Sequence, residues 1–135
     1  MDTLKRTLEK QNYFIIFDRK LILTEQIKSL VFKMFEDDEL PVQNYSIFIA
    51  EHLRLNYNYV ATIFSEIEGT SVEHFIIDQK IKKAKDLLNG DSYKIGEIAS
   101  MLHYSSIGHF SNQFKKHTGF TPSAFRNKRR GSRVA

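Results

Sequence analysis

A chain of 135 residues, 41% hydrophobic and 27% charged, fits one globular domain of ordinary size, with or without a short appendage. The absence of cysteine excludes thiol catalysis, thiolate metal sites and disulfide bonds. The net charge of +4 is unevenly spread: residues 98–135 contain seven Lys or Arg and no Asp or Glu, which favours a polyanionic partner at the carboxyl-terminal third.

We expect residues 1–40 to form a short amino-terminal extension. It would be either a remnant of a small αβ domain or a dimerisation segment. Its first ten residues lack an apolar run like a signal peptide or membrane span, so we expect a cytoplasmic protein with no membrane association. The apolar run 13–17 is compatible with a short strand or a loop. Residues 23–35 have the apolar spacing of a helix, which would pack within the chain or against a second copy. The acidic residues 36–39 and Leu40-Pro41 then predict a linker, with a domain boundary between residues 40 and 41.

Residues 41–130 predict a domain of short helices, because apolar residues recur at helical spacing and the breaks between them are brief. Asn56 is a suitable N-cap for one helix, and Gly69 can adopt the left-handed conformation that ends it. The expected segments are a first helix-turn-helix at about 46–69, a linker helix at about 72–88, a second helix-turn-helix at about 94–118, a terminal helix at about 122–130 and a basic flexible tail at 131–135.

An internal repeat supports two similar units. Ile49, Leu53, Val60, Phe64 and Gly69 recur as Ile98, Leu102, Phe110, Phe114 and Gly119. The offset grows from 49 to 50 residues, which indicates one inserted residue in the second turn. The predicted fold is therefore all-α, with two helix-turn-helix subdomains joined by a long helix.

The second unit contains the parts that a helix-turn-helix requires. Ala99 is the small residue where the two helices meet, and Leu102 and Tyr104 anchor the turn. Phe110 and Phe114 have the spacing of a buried helix face, so we expect them in the core rather than stacked on bases.

The segment from Phe110 to Gly119, FSNQFKKHTG, is followed by TPSAFR at residues 121–126. Together with IGEIA at residues 95–99 and AKDLL at residues 84–88, it resembles the AraC family of bacterial regulators over about residues 45–127. The resemblance implies a helical module without catalysis, whose two recognition helices enter major-groove segments about 34 Å apart. It also implies double-stranded DNA as partner, a nucleoid-associated location, and transcription activation through RNA polymerase as the commoner outcome.

The resemblance also assigns roles to individual residues. Expected base-reading residues are Ile107, Gly108, Ser111 and Asn112 in the second unit, with Asn58, Ala61 and Thr62 as a weaker set in the first. Expected phosphate-binding residues are Lys115, Lys116, Arg126, Lys128, Arg129 and Arg130.

The chain also departs from the family pattern. His103-Tyr104 stands where the family usually has Gly-Phe, so a side chain would have to occupy a left-handed turn. Asn112 stands where an arginine is common, and residues 56–67 contain Glu66 but no Lys or Arg. Tight phosphate or guanine contact by the first unit is therefore not expected.

The remaining patterns predict no enzyme, no metal and no cofactor. The five histidines lack ligand spacing, and no phosphate loop or nucleophile motif occurs. A protein-interaction module that retains the fold, with weak or non-specific DNA binding, is the alternative function. The sequence is compatible with a monomeric DNA-binding module and leaves higher oligomers open.

Overall fold

The computed structural model describes residues 2–36 and 44–134, which contain helices and no strand, as predicted for an all-α fold. The helices are α1 (Asp2–Glu36), α2 (Tyr45–Leu53), α3 (Tyr57–Glu68), α4 (Val72–Asn89), α5 (Ile95–Met101), α6 (Ile107–Thr118) and α7 (Pro122–Val134). The acidic residues 37–39 and the expected boundary at Leu40-Pro41 lie outside the described residues.

The amino-terminal extension is helical throughout its described part, so the strand or loop predicted at residues 13–17 is wrong. A run of consecutive apolar residues has no periodicity that separates a strand from a helix. Residues 2–36 contain no glycine or proline to end the helix, and α1 therefore continues through the run 13–17. The large apolar side chains of residues 13–17 remain exposed, from 43% at Phe17 to 69% at Tyr13.

The chain divides into two compact units, with the division after Ile76, inside α4. In the first unit, the second half of α1 packs within the chain, one of the two arrangements predicted for residues 23–35. Ile27 and Val31 are fully buried against Ile49, Val60 and Phe64 from α2 and α3. Their burial attaches α1 to the first helix-turn-helix.

The second unit is built around the aromatic residues of α6. Phe110 and Phe114 are fully buried and pack against Ile98 and Ala99 of α5 and Leu88 of α4. The prediction that these phenylalanines belong to the core is therefore confirmed. Their burial determines which side of α6 remains exposed.

Short polar caps explain where the helices begin and end. The Asn56 side chain accepts from the backbone N–H of Asn58 at 2.8 Å, as predicted, and Gly69 ends α3 in the left-handed region at φ 73°. Ser106 caps α6 through the N–H of His109 at 3.0 Å, and Gly119 ends that helix at φ 85°. At the carboxyl end, α7 continues to Val134, beyond the end predicted near residue 130 and into the segment predicted as a flexible tail.

The turn of the second unit contains the strained residue predicted from the sequence. His103 lies in the left-handed region at φ 62°, and its N–H donates to the carbonyl of Ser100 at 3.0 Å. A side chain costs about 1–2 kcal/mol in this conformation, whereas glycine adopts it without that penalty but loses more chain entropy on folding.

Replacing His103 with glycine should therefore raise the free energy of unfolding by about 0.5–1 kcal/mol. Urea denaturation of wild type, His103→Gly and His103→Ala measures this effect. The alanine variant keeps the Cβ and should show no comparable gain. Equal stability of the two variants would contradict backbone strain as the cause.

Candidate nucleic-acid interface

The exposed side of α6 is the best-defined candidate surface. Phe110 and Phe114 fix the opposite side of the helix in the core. Gly108, Asn112, Lys115 and Lys116 are exposed and lie on the side that faces away from these rings. The surface therefore places one amide and two ammonium groups on a single rigid helix.

The residues predicted to read bases in the second unit differ in accessibility. Gly108 and Asn112 are exposed, whereas Ser111 is half-buried at the edge of the face. Ile107 is 56% exposed at the start of α6. Its Cδ1 lies 3.1 Å from where a Cβ on Gly96 would stand, so Ile107 also fills the contact between α5 and α6.

The two lysines at the end of α6 are accessible to an external partner. Lys115 and Lys116 are exposed, and neither forms an ion pair with another side chain that the structure describes. Cations at this position also interact favourably with the carboxyl-terminal end of the helix dipole. An anion near Asn112 would meet both ammonium groups.

The start of α6 contains two exposed residues, Ser106 and His109, that sequence analysis did not single out. His109 is exposed, its Nδ1 lies 3.2 Å from the Ser105 hydroxyl, and its ring contacts Tyr104 edge-on. A serine just before a helix is a recognised N-cap signal, and it would have identified Ser106. No local signal in the sequence identifies His109, because its position depends on contacts with the turn before α6.

Arg126 does not occupy the surface predicted for it, and its assignment as a phosphate ligand is corrected. The side chain is only 8% exposed. Its Nε donates to the carbonyl of Leu88 at 3.2 Å, and one terminal nitrogen donates to the carbonyls of Leu87 at 3.4 Å and Gly90 at 3.1 Å. These are carbonyls at the end of α4, so Arg126 caps that helix.

Three further basic residues of α7, Lys128, Arg129 and Arg130, are exposed but make local contacts. Lys128 Nζ lies 4.5 Å from the centre of the Phe120 ring, and the Arg129 guanidinium lies 5.5 Å from that of Phe125. Arg130 forms an ion pair with Asp91. The charge of Arg130 is therefore partly balanced within the chain.

The exposed side of α3 has the shape of a recognition helix but no cation. Asn58 and Thr62 are exposed, whereas Ala61 is half-buried, as Ser111 is at the matching position of α6. The Thr62 hydroxyl donates to the carbonyl of Asn58 at 2.8 Å. The first unit thus presents two small polar groups.

Two ion pairs join α1 to the end of α3. Lys20 Nζ lies 3.0 Å from Glu66 Oε2, and Lys28 Nζ lies 2.5 Å from Glu68 Oε1. The hydrogen bond to Glu68 is the main cause of a raised pKa at Lys28. Sequence analysis missed both pairs, because their partners are far apart in the chain.

The turn before α6 is held by a partly buried hydrogen bond. The Tyr104 hydroxyl donates to Gln113 Oε1 at 2.5 Å, and burial raises the pKa of Tyr104 to about 12. Lys80 Nζ lies 4.8 Å from the centre of the same ring, and burial lowers the pKa of Lys80. Tyr104 therefore stays protonated at neutral pH, and Gln113 is engaged in the scaffold.

The described residues contain neither a membrane-spanning helix nor a metal-binding cluster of side chains. None of the helices there has both the length and the apolar composition needed to span a membrane. No group of three or more His, Asp or Glu side chains within those residues is arranged to hold a metal ion.

Comparison with known proteins places the described surfaces in context. A family profile described as a helix-turn-helix domain matches residues 49–128. The Msm operon regulatory protein of Streptococcus mutans is 32% identical over 78 residues, which cover 58% of this chain and 28% of that protein. The transcriptional activator CsvR of Escherichia coli is 37% identical over 62 residues, which cover 46% of this chain and 23% of that protein. The chain thus spans about a quarter of the length of these relatives.

The fold matches a solved DNA complex. The DNA-binding domain of the transcriptional factor AdpA, solved with a target DNA, superposes with a TM-score of 0.68 at 21% identity. The match covers 80% of this chain and 96% of that domain. At this identity the likeness establishes the shared fold.

Proposed function

The chain belongs to the AraC-type helix-turn-helix family, and from this premise we propose that it is a sequence-specific regulator of transcription that binds double-stranded DNA. One observation carries the proposal: the exposed side of α6 presents Asn112 beside Lys115 and Lys116, on a helix anchored by two buried phenylalanines. An amide of this kind pairs with adenine through two hydrogen bonds, and the ammonium groups bind phosphate.

In this proposal, the two units contribute unequally to DNA binding. The second unit supplies most of the affinity through Lys115, Lys116 and Arg129. Lys128 and Arg130 together add about one further phosphate contact, because both also interact within the chain. Asn112 and Gly108 lie closest to base edges, with Ile107 and Ser111 at the rim. The first unit adds weaker readout through Asn58, Thr62 and Ala61.

The proposed setting is the bacterial nucleoid in the cytoplasm, and the proposed outcome is activation through contact with RNA polymerase. The name of CsvR as an activator supports the direction of regulation. Repression by occupying a site is the other outcome, and transcription from a template that contains the preferred site would distinguish the two.

Binding of random-sequence duplex to the chain at 50 and 200 mM salt tests the proposal. Four phosphate contacts predict a slope of about −3.6 in log affinity against log salt, hence a loss of about 10²-fold over this range. Fluorescence anisotropy with a labelled duplex measures both values. No measurable binding at 50 mM salt would reject DNA as the partner and favour the protein-interaction alternative, which the lack of a cation on α3 also permits.

A further inference from the structure

We propose that Glu66 limits the DNA affinity of the first unit by repelling phosphate at the position where the second unit attracts it, and that Lys20 partly neutralises this carboxylate. This inference rests on the proposed function, because it concerns how the same DNA surface is tuned.

The repeat places Glu66 at the position of a proposed phosphate ligand. With the offset of 50 residues that relates α3 to α6, Glu66 matches Lys116 and Ser65 matches Lys115. Each pair lies in the third turn of its helix and is exposed. The first unit therefore has a carboxylate and a hydroxyl where the second has two ammonium groups.

The ion pair from α1 changes what a phosphate would meet at this position. Lys20 Nζ lies 3.0 Å from Glu66 Oε2, and the side chains are 33% and 49% exposed. At this exposure the pair adds little stability, but both charges remain accessible to an approaching anion. A phosphate would meet one cation and one anion, so the local charge is close to zero.

Removing the charge of Glu66 and removing the charge of Lys20 should have opposite effects on DNA affinity. Glu66→Gln leaves Lys20 as an uncompensated cation beside α3, which should add about one phosphate contact. The salt slope should steepen by about 0.9, and affinity at 50 mM salt should rise about tenfold on every duplex sequence. Lys20→Gln should weaken binding to every sequence, because it leaves the carboxylate alone.

The double variant Lys20→Gln/Glu66→Gln completes the cycle. It restores a neutral position, so its salt slope should return to the wild-type value. Glu68→Gln is the matched control, because Glu68 also pairs with an α1 lysine but lies on the side of α3 that packs toward the core, with 26% of its side chain exposed. It should leave the salt slope unchanged.

Anisotropy titrations of the wild type and these variants at several salt concentrations give the readout. An unchanged or shallower slope for Glu66→Gln would overturn the inference. So would a loss of affinity confined to sites with one particular base, since that would show the carboxylate accepting from cytosine. Failure of the wild type to bind any duplex at 50 mM salt would instead reject the proposed function itself.

Discussion

Replacing Arg126 with methionine should lower the free energy of unfolding by about 3 kcal/mol and leave the salt dependence of DNA binding unchanged. The guanidinium donates to three backbone carbonyls at the end of α4. Methionine fills part of the same space but donates nothing, so those carbonyls would lose their partner in a buried setting. The helix end and the core of the second unit should loosen together.

Urea denaturation followed by circular dichroism measures this effect, and anisotropy titrations at several salt concentrations measure the slope. Arg129→Met is the matched control on the same helix, because Arg129 is exposed and contacts only one ring face in the described structure. In the control variant, the slope of log affinity against log salt should be shallower by about 0.9, and the free energy of unfolding should change little. The reverse pattern, a stable Arg126→Met variant with a reduced slope, would show that Arg126 binds phosphate after all.

Replacing Lys115 and Lys116 together with glutamine should weaken binding about 10²-fold at 50 mM salt and reduce the salt slope by about 1.8. Both lysines are exposed on α6, and they provide two of the four phosphate contacts proposed. Because phosphate carries no sequence information, the loss should be the same for every duplex.

Asn112→Ala is the counterpart on the same face. It should keep the salt slope and reduce affinity by about 1–3 kcal/mol only for duplexes with the preferred base at one position. Titration of each variant against a panel of single-base changes separates the two patterns. The assigned roles would be contradicted if the double lysine variant lost affinity only for some sequences, or if Asn112→Ala lost affinity equally for all of them.

Most of the fold was predictable because its signals are local. Apolar spacing identified the helices between residues 46 and 130, and residues such as Asn56 and Gly69 marked their ends through hydrogen bonds within a few positions. The strained turn at His103 was also predictable, since the family that the sequence resembles usually has a glycine at this position. The amino-terminal run 13–17 was mistaken for a strand or loop, because five consecutive apolar residues suit both structures.

The candidate surface was less predictable where it depends on contacts between distant residues. Arg126 reaches carbonyls 36 to 39 positions away, and Lys20 reaches Glu66 across 46 positions. A basic residue near a recognition helix is expected at the surface on charge alone, and only its packing shows that it is buried. Gly108 and Asn112 lie on the exposed side of α6, as expected from the spacing of Phe110 and Phe114, whereas Ser111 is half-buried.

The central claim is that the second unit reads DNA sequence and the first unit reads little. Selection of preferred sites from a random duplex pool by the intact chain tests it most directly. We predict enrichment of one block of bases, which Asn112→Ala alters at a single position. Enrichment of two equally strong blocks about one helical turn apart, or of none, would contradict the account.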